Sequence, residues 1–355
     1  MSEPVRVLVV DDSGVHRAAI QSYLESCAGI EVLAVARDGA EGAELTRTLR
    51  PQLVLMDVRM PIMDGLEATE QIMANTPTPI LLMTAAEYYD QEVDLGLRAL
   101  SRGALELIRK PDLTALRGGE DQSLARRIKL LATVPVISHP HRKRRSRVKD
   151  SLTASGSQRP TTGLFKRASR VVLIVASTGG PQTLRRILER LPGNLPAAIV
   201  IVQHIDKGFE EGLARWLDEQ TELSVQLGQD GDALMEGVVL LAPQGSMAEV
   251  TGRRFLQLRE PRRDESRLHC PSGDALLTSG AHSYGRNAVG VVLTGIGRDG
   301  TKGLLAMRDS GGRTLAQDEQ SSVVYGMPRA AAEAGAAEQV LSIEGIAGAI
   351  TELLG

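Results

Sequence analysis

The sequence is poor in cysteine, and it contains no long apolar run. Only Cys27 and Cys270 occur among the 355 residues, and they form no CxxC pair. This argues against a disulfide framework and a cysteine-based zinc site. No segment approaches the ~20 apolar residues that a membrane-spanning helix needs, and no signal-like stretch follows the N-terminal MSEP. We therefore expect a cytoplasmic protein that does not insert into a membrane.

Aromatic residues and excess positive charge are also scarce. Aromatics make up 3% of a chain that is 42% hydrophobic, so its cores must be aliphatic. The 41 basic and 44 acidic residues give a formal net charge of −3, which argues against nucleic-acid binding by the whole chain. The length of 355 residues predicts two domains of ordinary size.

The N-terminal part has the pattern of a parallel α/β sheet. Short apolar runs alternate with amphipathic segments of about ten to fifteen residues, which is typical of βα units. Five buried strands are expected at VRVLVV, EVLAVA, QLVLMD, PILLMT and ALELIRK, between residues 5 and 110. The pattern predicts a flavodoxin-like (βα)5 domain over residues 1–125.

A change of composition separates this domain from a second one. Residues 139–163 are rich in Ser, Thr, Pro, Arg and Lys and have almost no apolar residues, which predicts a flexible basic linker over 126–167. Its basic cluster is typical of a solvated tether, with contact to nucleic acid or an acidic partner as the alternative. From residue 168 to 355 a second α/β pattern predicts a doubly wound, mainly parallel domain.

Acidic residues end several strands of the first domain. Asp11 and Asp12 end the first strand, Asp57 ends the third, Thr84 ends the fourth and Lys110 follows the fifth. Because ligands of open parallel sheets sit at the carboxyl ends of strands, we expect these side chains to converge. Three carboxylates together suit Mg²⁺. An aspartate that lies beside both Mg²⁺ and the ammonium group of a lysine is suited to attack a phosphoryl group. A single aspartate here would more simply be a helix N-cap.

Residues 4–125 resemble the receiver domain of two-component response regulators. The resemblance implies phosphorylation of Asp57 by a histidine kinase, Mg²⁺ binding by the three aspartates, and switch roles for Thr84 and Lys110. Leu107 departs from the family pattern, because an aromatic residue usually stands three positions before that lysine.

Three strand ends of the second half carry Ser177, His204 and Asp299, in LIVASTGGPQTL, AAIVIVQHIDKGF and GVVLTGIGRDG. Pro181 suits the first turn of a helix, so the serine hydroxyl lies beside free backbone amides at a helix N-terminus. A cap or a phosphate pocket explains the serine equally well, and the histidine or aspartate alone is more often structural. Together they predict a nucleophile, a base and an orienting carboxylate, which recur in different chain orders on unrelated folds.

Four segments carry a second resemblance. ASTGGP, VQHI, LTGIGRDG and AQDEQSSVVYGMPRAA resemble the chemotaxis protein-glutamate methylesterases (CheB family) over about residues 168–355. The resemblance implies hydrolysis of glutamate γ-methyl esters on the cytoplasmic helices of chemoreceptors, with release of methanol. Some members of the family also deamidate receptor glutamines. No cofactor is implied for the esterase reaction.

The same resemblance assigns roles to individual residues. Ser177 corresponds to the nucleophile, His204 to the general base and Asp299 to its orienting carboxylate. Backbone N–H groups near Thr178 and Ile296 would form the oxyanion hole. The sequence departs from the family pattern at several positions. Gly273 stands where valine is frequent, Ile296 where methionine is frequent, and Arg298 where asparagine is frequent.

Other classes of protein fit the sequence less well. A transcription regulator would need a terminal helix-turn-helix module with a basic face, and none is visible. A nucleotide-binding module would need a phosphate-binding glycine motif after the strand that precedes Ser177, and none is present. The alternative left open is a response regulator whose output domain is catalytically altered or acts by protein–protein interaction.

In the preferred interpretation the unphosphorylated receiver packs over the edge of the sheet that carries Ser177.

Overall fold

The computed structural model describes residues 3–85, 89–112, 123–136, 166–265 and 269–355. Residues 137–165 of the expected linker lie outside the described residues. None of the helices in the described ranges combines the length and apolar character needed to cross a bilayer.

The N-terminal domain is built on a five-stranded parallel sheet in the order β2-β1-β3-β4-β5. Its strands are β1 (Val5–Val10), β2 (Ile30–Ala36), β3 (Leu53–Asp57), β4 (Ile80–Thr84) and β5 (Glu106–Arg109). Strands β3 and β4 are buried along their whole length. They read as continuous apolar runs because helices cover both faces of the sheet. The predicted receiver fold is confirmed.

Within the described ranges, five helices accompany this sheet: α1 (Gly14–Ser26), α2 (Gly39–Leu49), α3 (Gly65–Asn75), α4 (Tyr89–Ser101) and α5 (Ser123–Leu131). Helix α5 extends beyond residue 125, where the domain was expected to end and a flexible linker to begin. Its residues Leu124, Ile128 and Leu131 are buried in the core beside α1 and β1. The helix therefore belongs to the receiver fold, because an apolar face of this kind is stable only when it is covered.

The second domain has a seven-stranded parallel sheet in the order β14-β13-β12-β6-β7-β9-β8. Its strands are β6 (Val171–Ala176), β7 (Ala198–Gln203), β8 (Ser224–Leu227), β9 (Val238–Leu241), β12 (Ala288–Val292), β13 (Arg313–Gln317) and β14 (Gln339–Leu341). A separate antiparallel pair is formed by β10 (Met247–Val250) and β11 (Leu256–Arg259). The predicted doubly wound, mainly parallel fold is confirmed.

Among residues 166–265 and 269–355, six helices pack around this sheet: α6 (Gly180–Leu188), α7 (Glu210–Asp218), α8 (Gly273–Tyr284), α9 (Thr301–Asp309), α10 (Met327–Glu333) and α11 (Ile343–Leu354). Pro181 lies in the first turn of α6, as the sequence predicted. Gly179 precedes that helix with a φ of 77°, a left-handed conformation that glycine adopts at no steric cost. This turn places Ser177 between β6 and α6.

Polar contacts hold the two domains against each other. The backbone N–H of Arg109, at the end of β5, donates to Asp206 Oδ2 over 2.8 Å, and its guanidinium donates to the carbonyl of Lys207 over 2.7 Å. Gln182 of α6 donates to the carbonyl of Ala104 over 2.7 Å. The end of β5 therefore docks on the loop between β7 and α7.

Apolar packing continues across the same boundary. Leu100 of α4 and Phe209, which precedes α7, are both about 1% exposed and belong to one buried cluster. An exposed ion pair of 3.3 Å joins Asp94 of α4 to Arg215 of α7. The receiver thus covers the edge of the second sheet at which β7 ends.

Candidate active site

Three adjacent strands of the second sheet position the predicted catalytic residues. Ser177 follows β6 and His204 follows β7, while Asp299 lies in the loop between β12 and α9. Because β12, β6 and β7 are neighbours and parallel, their carboxyl ends lie at one edge of the sheet. The structure therefore brings all three strand ends to the same edge.

His204 and Asp299 are in direct contact. His204 Nε2 lies 2.9 Å from Asp299 Oδ2, and both side chains are largely buried. Burial alone would raise the pKa of Asp299, but the hydrogen bond from His204 and those from backbone amides outweigh it and lower the pKa to about 2. Asp299 is therefore ionised at neutral pH and holds the proton of the imidazole on Nε2.

The N-terminus of α8 holds this carboxylate in place. The backbone N–H groups of Gly273 and Asp274 donate to Asp299 over 2.6 and 2.9 Å, and the hydroxyl of Ser272 over 3.2 Å. The N–H of Gly300 adds a fourth bond of 3.0 Å. Amides at a helix N-terminus stabilise a negative charge, so they fix both the position and the ionisation of Asp299. The sequence interpretation missed this contact, although the PSGD segment has the form of an N-cap followed by a helix.

The second nitrogen of His204 is available for chemistry. Nδ1 is buried, and no hydrogen-bond partner for it is present among the described residues. With the proton on Nε2, Nδ1 carries the lone pair and is the basic nitrogen.

The backbone around Ser177 is held by the side chain of Gln203. Its amide nitrogen donates to the carbonyls of Ser177 and His204, each over 2.8 Å. Gly295 makes room for the serine, because a Cβ at that position would lie 2.6 Å from Ser177 Cβ and 2.4 Å from the sulfur of Met327. These contacts fix the relative position of the two chain segments that carry Ser177 and His204.

Ser177 and His204 line one cavity of about 1110 Å³. Thr178 and Ile296, whose backbone N–H groups were predicted to form an oxyanion hole, also line this cavity. Asp299 lies behind His204, outside the cavity lining.

A second histidine lies against the candidate base. The rings of His204 and His269 are stacked, with centroids 4.1 Å apart and an interplanar angle of 18°. Burial and the neighbouring His204 hold the pKa of His269 below its ordinary value, while Asp299 opposes this shift. This contact could not be expected from the sequence, because His269 follows no apolar strand.

The receiver supplies one wall of the same cavity. Glu106 of β5 and Arg127 of α5 line it, together with Asp206 from the second domain. Glu106 and Asp206 each lie near the Arg127 guanidinium, at 3.5 and 3.8 Å. The cavity that contains Ser177 is thus lined by residues of both domains.

The predicted phosphorylation site is also assembled. Carboxylate oxygens of Asp11, Asp12 and Asp57 lie within 4.8 Å of one another. Lys110 Nζ lies 2.6 Å from Asp57 and 2.9 Å from Asp11. Burial raises the pKa of Asp57 to about 7, with Lys110 opposing the shift and the other two aspartates adding to it. Thr84 is buried at the end of the adjacent strand β4.

These aspartates fit a divalent cation. Three hard oxygen donors converge there, and one of them, Asp12, is exposed and can be reached from solvent. Mg²⁺ is the cation that such a donor set prefers when waters complete its coordination. Leu107, at the position of the expected aromatic residue, is buried, and a Cβ on Gly96 would lie 2.7 Å from it.

Fold and site together define a class of protein: a receiver domain joined to an α/β domain of hydrolase type. The CheB methylesterase family model matches residues 172–350, and the response regulator receiver domain model matches residues 7–117. The chain therefore belongs to the CheB methylesterase family and carries a response regulator receiver domain.

Similar proteins agree with this assignment. The chain is 44% identical to protein-glutamate methylesterase/protein-glutamine glutaminase 2 of Anaeromyxobacter dehalogenans, covering 99% of this chain and 97% of the relative. It is 42% identical to the corresponding enzyme 3 of Myxococcus xanthus, with coverages of 96% and 91%. The crystal structure of the Thermotoga maritima CheB methylesterase catalytic domain matches with 36% identity and a TM-score of 0.50. That match covers 52% of this chain and 98% of the solved one.

Proposed function

We propose that this protein hydrolyses glutamate γ-methyl esters on the cytoplasmic helices of chemoreceptors, and that phosphorylation of its receiver controls the reaction. The observation that carries the proposal is the contact between His204 and Asp299, 2.9 Å long, beside the cavity that Ser177 lines. The names of the similar proteins support the ester substrate and the deamidation of glutamines at the same site.

In the proposed acylation step, Ser177 Oγ attacks the ester carbonyl and its proton passes to His204 Nδ1. The imidazolium is stabilised by the Asp299 carboxylate, which stays ionised. Backbone N–H groups of Thr178 and Ile296 hold the oxyanion of the tetrahedral intermediate. His204 then returns the proton to the leaving oxygen, so that methanol departs and a glutamyl ester of Ser177 remains.

The second half of the reaction uses the same groups. His204 takes a proton from water, the hydroxide attacks the glutamyl ester, and the proton returns to Ser177 Oγ. The products are a receptor glutamate and the free enzyme. With a glutamine substrate the first leaving group is ammonia, and all other steps are unchanged.

The proposed control begins at Asp57. When bound there, Mg²⁺ neutralises charge on the incoming phosphoryl group; Asp11, Asp12 and Asp57 would hold it. Asp57 accepts the phosphoryl group from the phosphohistidine of a histidine kinase, whose imidazole is the leaving group. The phosphoryl group adds about −1.5 to −2 charges, toward which Lys110 and Thr84 can move. Lys110 follows β5, the strand that contacts Asp206 and Lys207, so such a movement would loosen the receiver from the second domain.

The proposed chemistry is tested by methanol release from a methylated receptor fragment. Removal of one triad member commonly costs several orders of magnitude in rate, so we expect Ser177→Ala to be inactive. Ser310→Ala is the matched control, because this serine is exposed at the end of α9. The control should release methanol at the wild-type rate. Release by Ser177→Ala at even about a tenth of that rate would reject the nucleophile.

A further inference from the structure

A glutamate of the receiver lies in the cavity of the second domain. The side chain of Glu106 is 15% exposed, and it lines the cavity together with Ser177 and Thr178. Its second oxygen, Oε2, is buried and has no hydrogen-bond partner among the described residues. A glutamyl carboxyl group of the receiver therefore lines the cavity that contains the proposed nucleophile.

The surroundings of Glu106 differ from those of an ordinary interdomain ion pair. Arg127 lies 3.5 Å from Glu106 and 3.8 Å from Asp206, so it is shared between two carboxylates and is bonded tightly to neither. Burial raises the pKa of Glu106, Asp206 adds to the shift, and Arg127 and Thr178 oppose it. Burial thus favours the uncharged form of this carboxyl group, which has the shape and hydrogen-bonding groups of a glutamyl ester or amide.

We propose that Glu106 occupies the subsite that receives the glutamyl side chain of the substrate and acts there as an intramolecular pseudo-product. The Thr178 hydroxyl is the donor of this subsite, and its ligands are the side-chain carboxyl, methyl ester or amide of a glutamyl residue. Receiver and substrate then compete for one position, and access requires β5 to withdraw. This inference rests on the proposed function, because it takes the product to be a glutamate.

The first test measures the reactivity of Ser177 without using the natural substrate. A fluorophosphonate ester phosphonylates activated serines with loss of fluoride, and intact mass with peptide mapping follows the labelling. The full-length chain is used without a phosphodonor. Glu106→Ala empties the subsite and should speed labelling about tenfold, a ratio that corresponds to one buried hydrogen bond.

Two variants distinguish occupancy of the subsite by Glu106 from a general weakening of the contact between the domains. Glu106→Gln keeps the shape and the acceptor for Thr178, so its labelling should stay near the wild-type rate. Asp94→Asn removes the exposed ion pair with Arg215, which lies outside the cavity, and should also leave labelling unchanged. The inference is overturned if Asp94→Asn or Glu106→Gln is labelled as fast as Glu106→Ala.

The second test identifies the ligand of the subsite. N-acetyl-L-glutamate α-amide carries the side-chain carboxyl group without a free α-carboxylate. It should slow labelling of Glu106→Ala at millimolar concentration, whereas the shorter N-acetyl-L-aspartate α-amide should not. The wild type should show no protection, because Glu106 already fills the subsite. Equal protection by both compounds, or by neither, contradicts the inference.

Failure of the inference and failure of the proposed function give different results. If Ser177 is labelled at the same rate in all variants, its role as the nucleophile is supported and the role of Glu106 as a pseudo-product is contradicted. If Ser177 is labelled in none of them, nor in a chain that lacks residues 1–165, the proposed nucleophile is wrong and the inference falls with it.

Discussion

Asp299 combines two functions at a single residue: it orients His204, and it accepts the hydrogen bonds that begin α8. Its pKa is lowered from an ordinary 3.8 to about 2, despite a burial that acts in the opposite direction. Because the folded-state pKa is the lower one, the carboxylate stabilises the fold above pH ~4. That contribution, roughly 2 kcal/mol, is lost as the pH falls through about 2.

Asp299→Asn should therefore change both activity and the pH dependence of stability. We expect methanol release to fall by about two to four orders of magnitude, because the tautomer of His204 is no longer enforced. The free energy of unfolding, measured in urea, should drop at pH 6, and the difference from the wild type should shrink towards pH 2.5. Asp309→Asn, at the exposed end of α9, is the control and should do neither. A variant that keeps wild-type turnover would contradict the role of Asp299.

The sequence predicted at residue level only those side chains that end apolar strands. Ser177, His204 and Asp299 could be named because each follows a buried run, and the carboxyl ends of parallel strands lie together. His269 and Glu106 could not be named in this way, because their position at the site depends on contacts between segments that are far apart in the chain. Ser272 occupies an intermediate position: its N-cap pattern is typical of a helix start, but it does not indicate the carboxylate bound there.

At the scale of elements, the connections after the strands set the geometry of the site. The loop after β12 must pass close to the turn between β6 and α6, and Gly295 permits this approach. Gly295→Ala would place a methyl group against Ser177 and Met327. We expect a loss of about 1–3 kcal/mol in the free energy of unfolding, as for other overpacked sites, and a large loss of turnover.

The matched control is another glycine-to-alanine exchange at a site with free space. Gly348 is exposed in α11, and a Cβ there would meet nothing within 4 Å. Gly348→Ala should stabilise the protein by about 0.5–1 kcal/mol, because alanine favours a helix, and should leave methanol release unchanged. Equal effects of the two exchanges would show that the approach at Gly295 is not tight.

Strands with a continuous apolar run were predictable, and strands without one were not. The five receiver strands and β6, β7 and β12 each contain a clear apolar run, and all were expected. Strands β8 and β14 are only four and three residues long and partly exposed, so their patterns resemble loops. Most of helix α5 lies in the range predicted as linker, 126–167. Its charged residues Arg126, Arg127 and Lys129 alternate with the apolar residues that it buries.

At the scale of the whole molecule, β5 connects two sites. One end of the strand leads to Lys110, which contacts Asp57. Arg109 donates a hydrogen bond to Asp206 of the other domain, and Glu106 lines the cavity that contains Ser177. The sequence predicted that the receiver packs over the edge of the sheet that carries Ser177. It could not predict which receiver residues make the contact, because an interface between domains has no periodic signal along the chain.

This connection predicts how the full chain responds to a phosphodonor. Acetyl phosphate with Mg²⁺ should raise methanol release by the wild type towards the rate of a chain that lacks residues 1–165. Asp57→Asn should not respond, because it has no carboxylate to phosphorylate, and should keep the basal rate. A truncated chain slower than the unphosphorylated full chain would mean that the receiver assists catalysis rather than blocking it.

The most direct measurement is the location of the covalent intermediate. The wild type is mixed with a methylated receptor fragment and quenched in acid within the first turnover, and the acyl group is located by peptide mapping. We predict a burst of methanol, at most one per chain, together with a glutamyl ester on Ser177. Methanol release with no adduct, or with the adduct on another residue, would contradict the proposed mechanism.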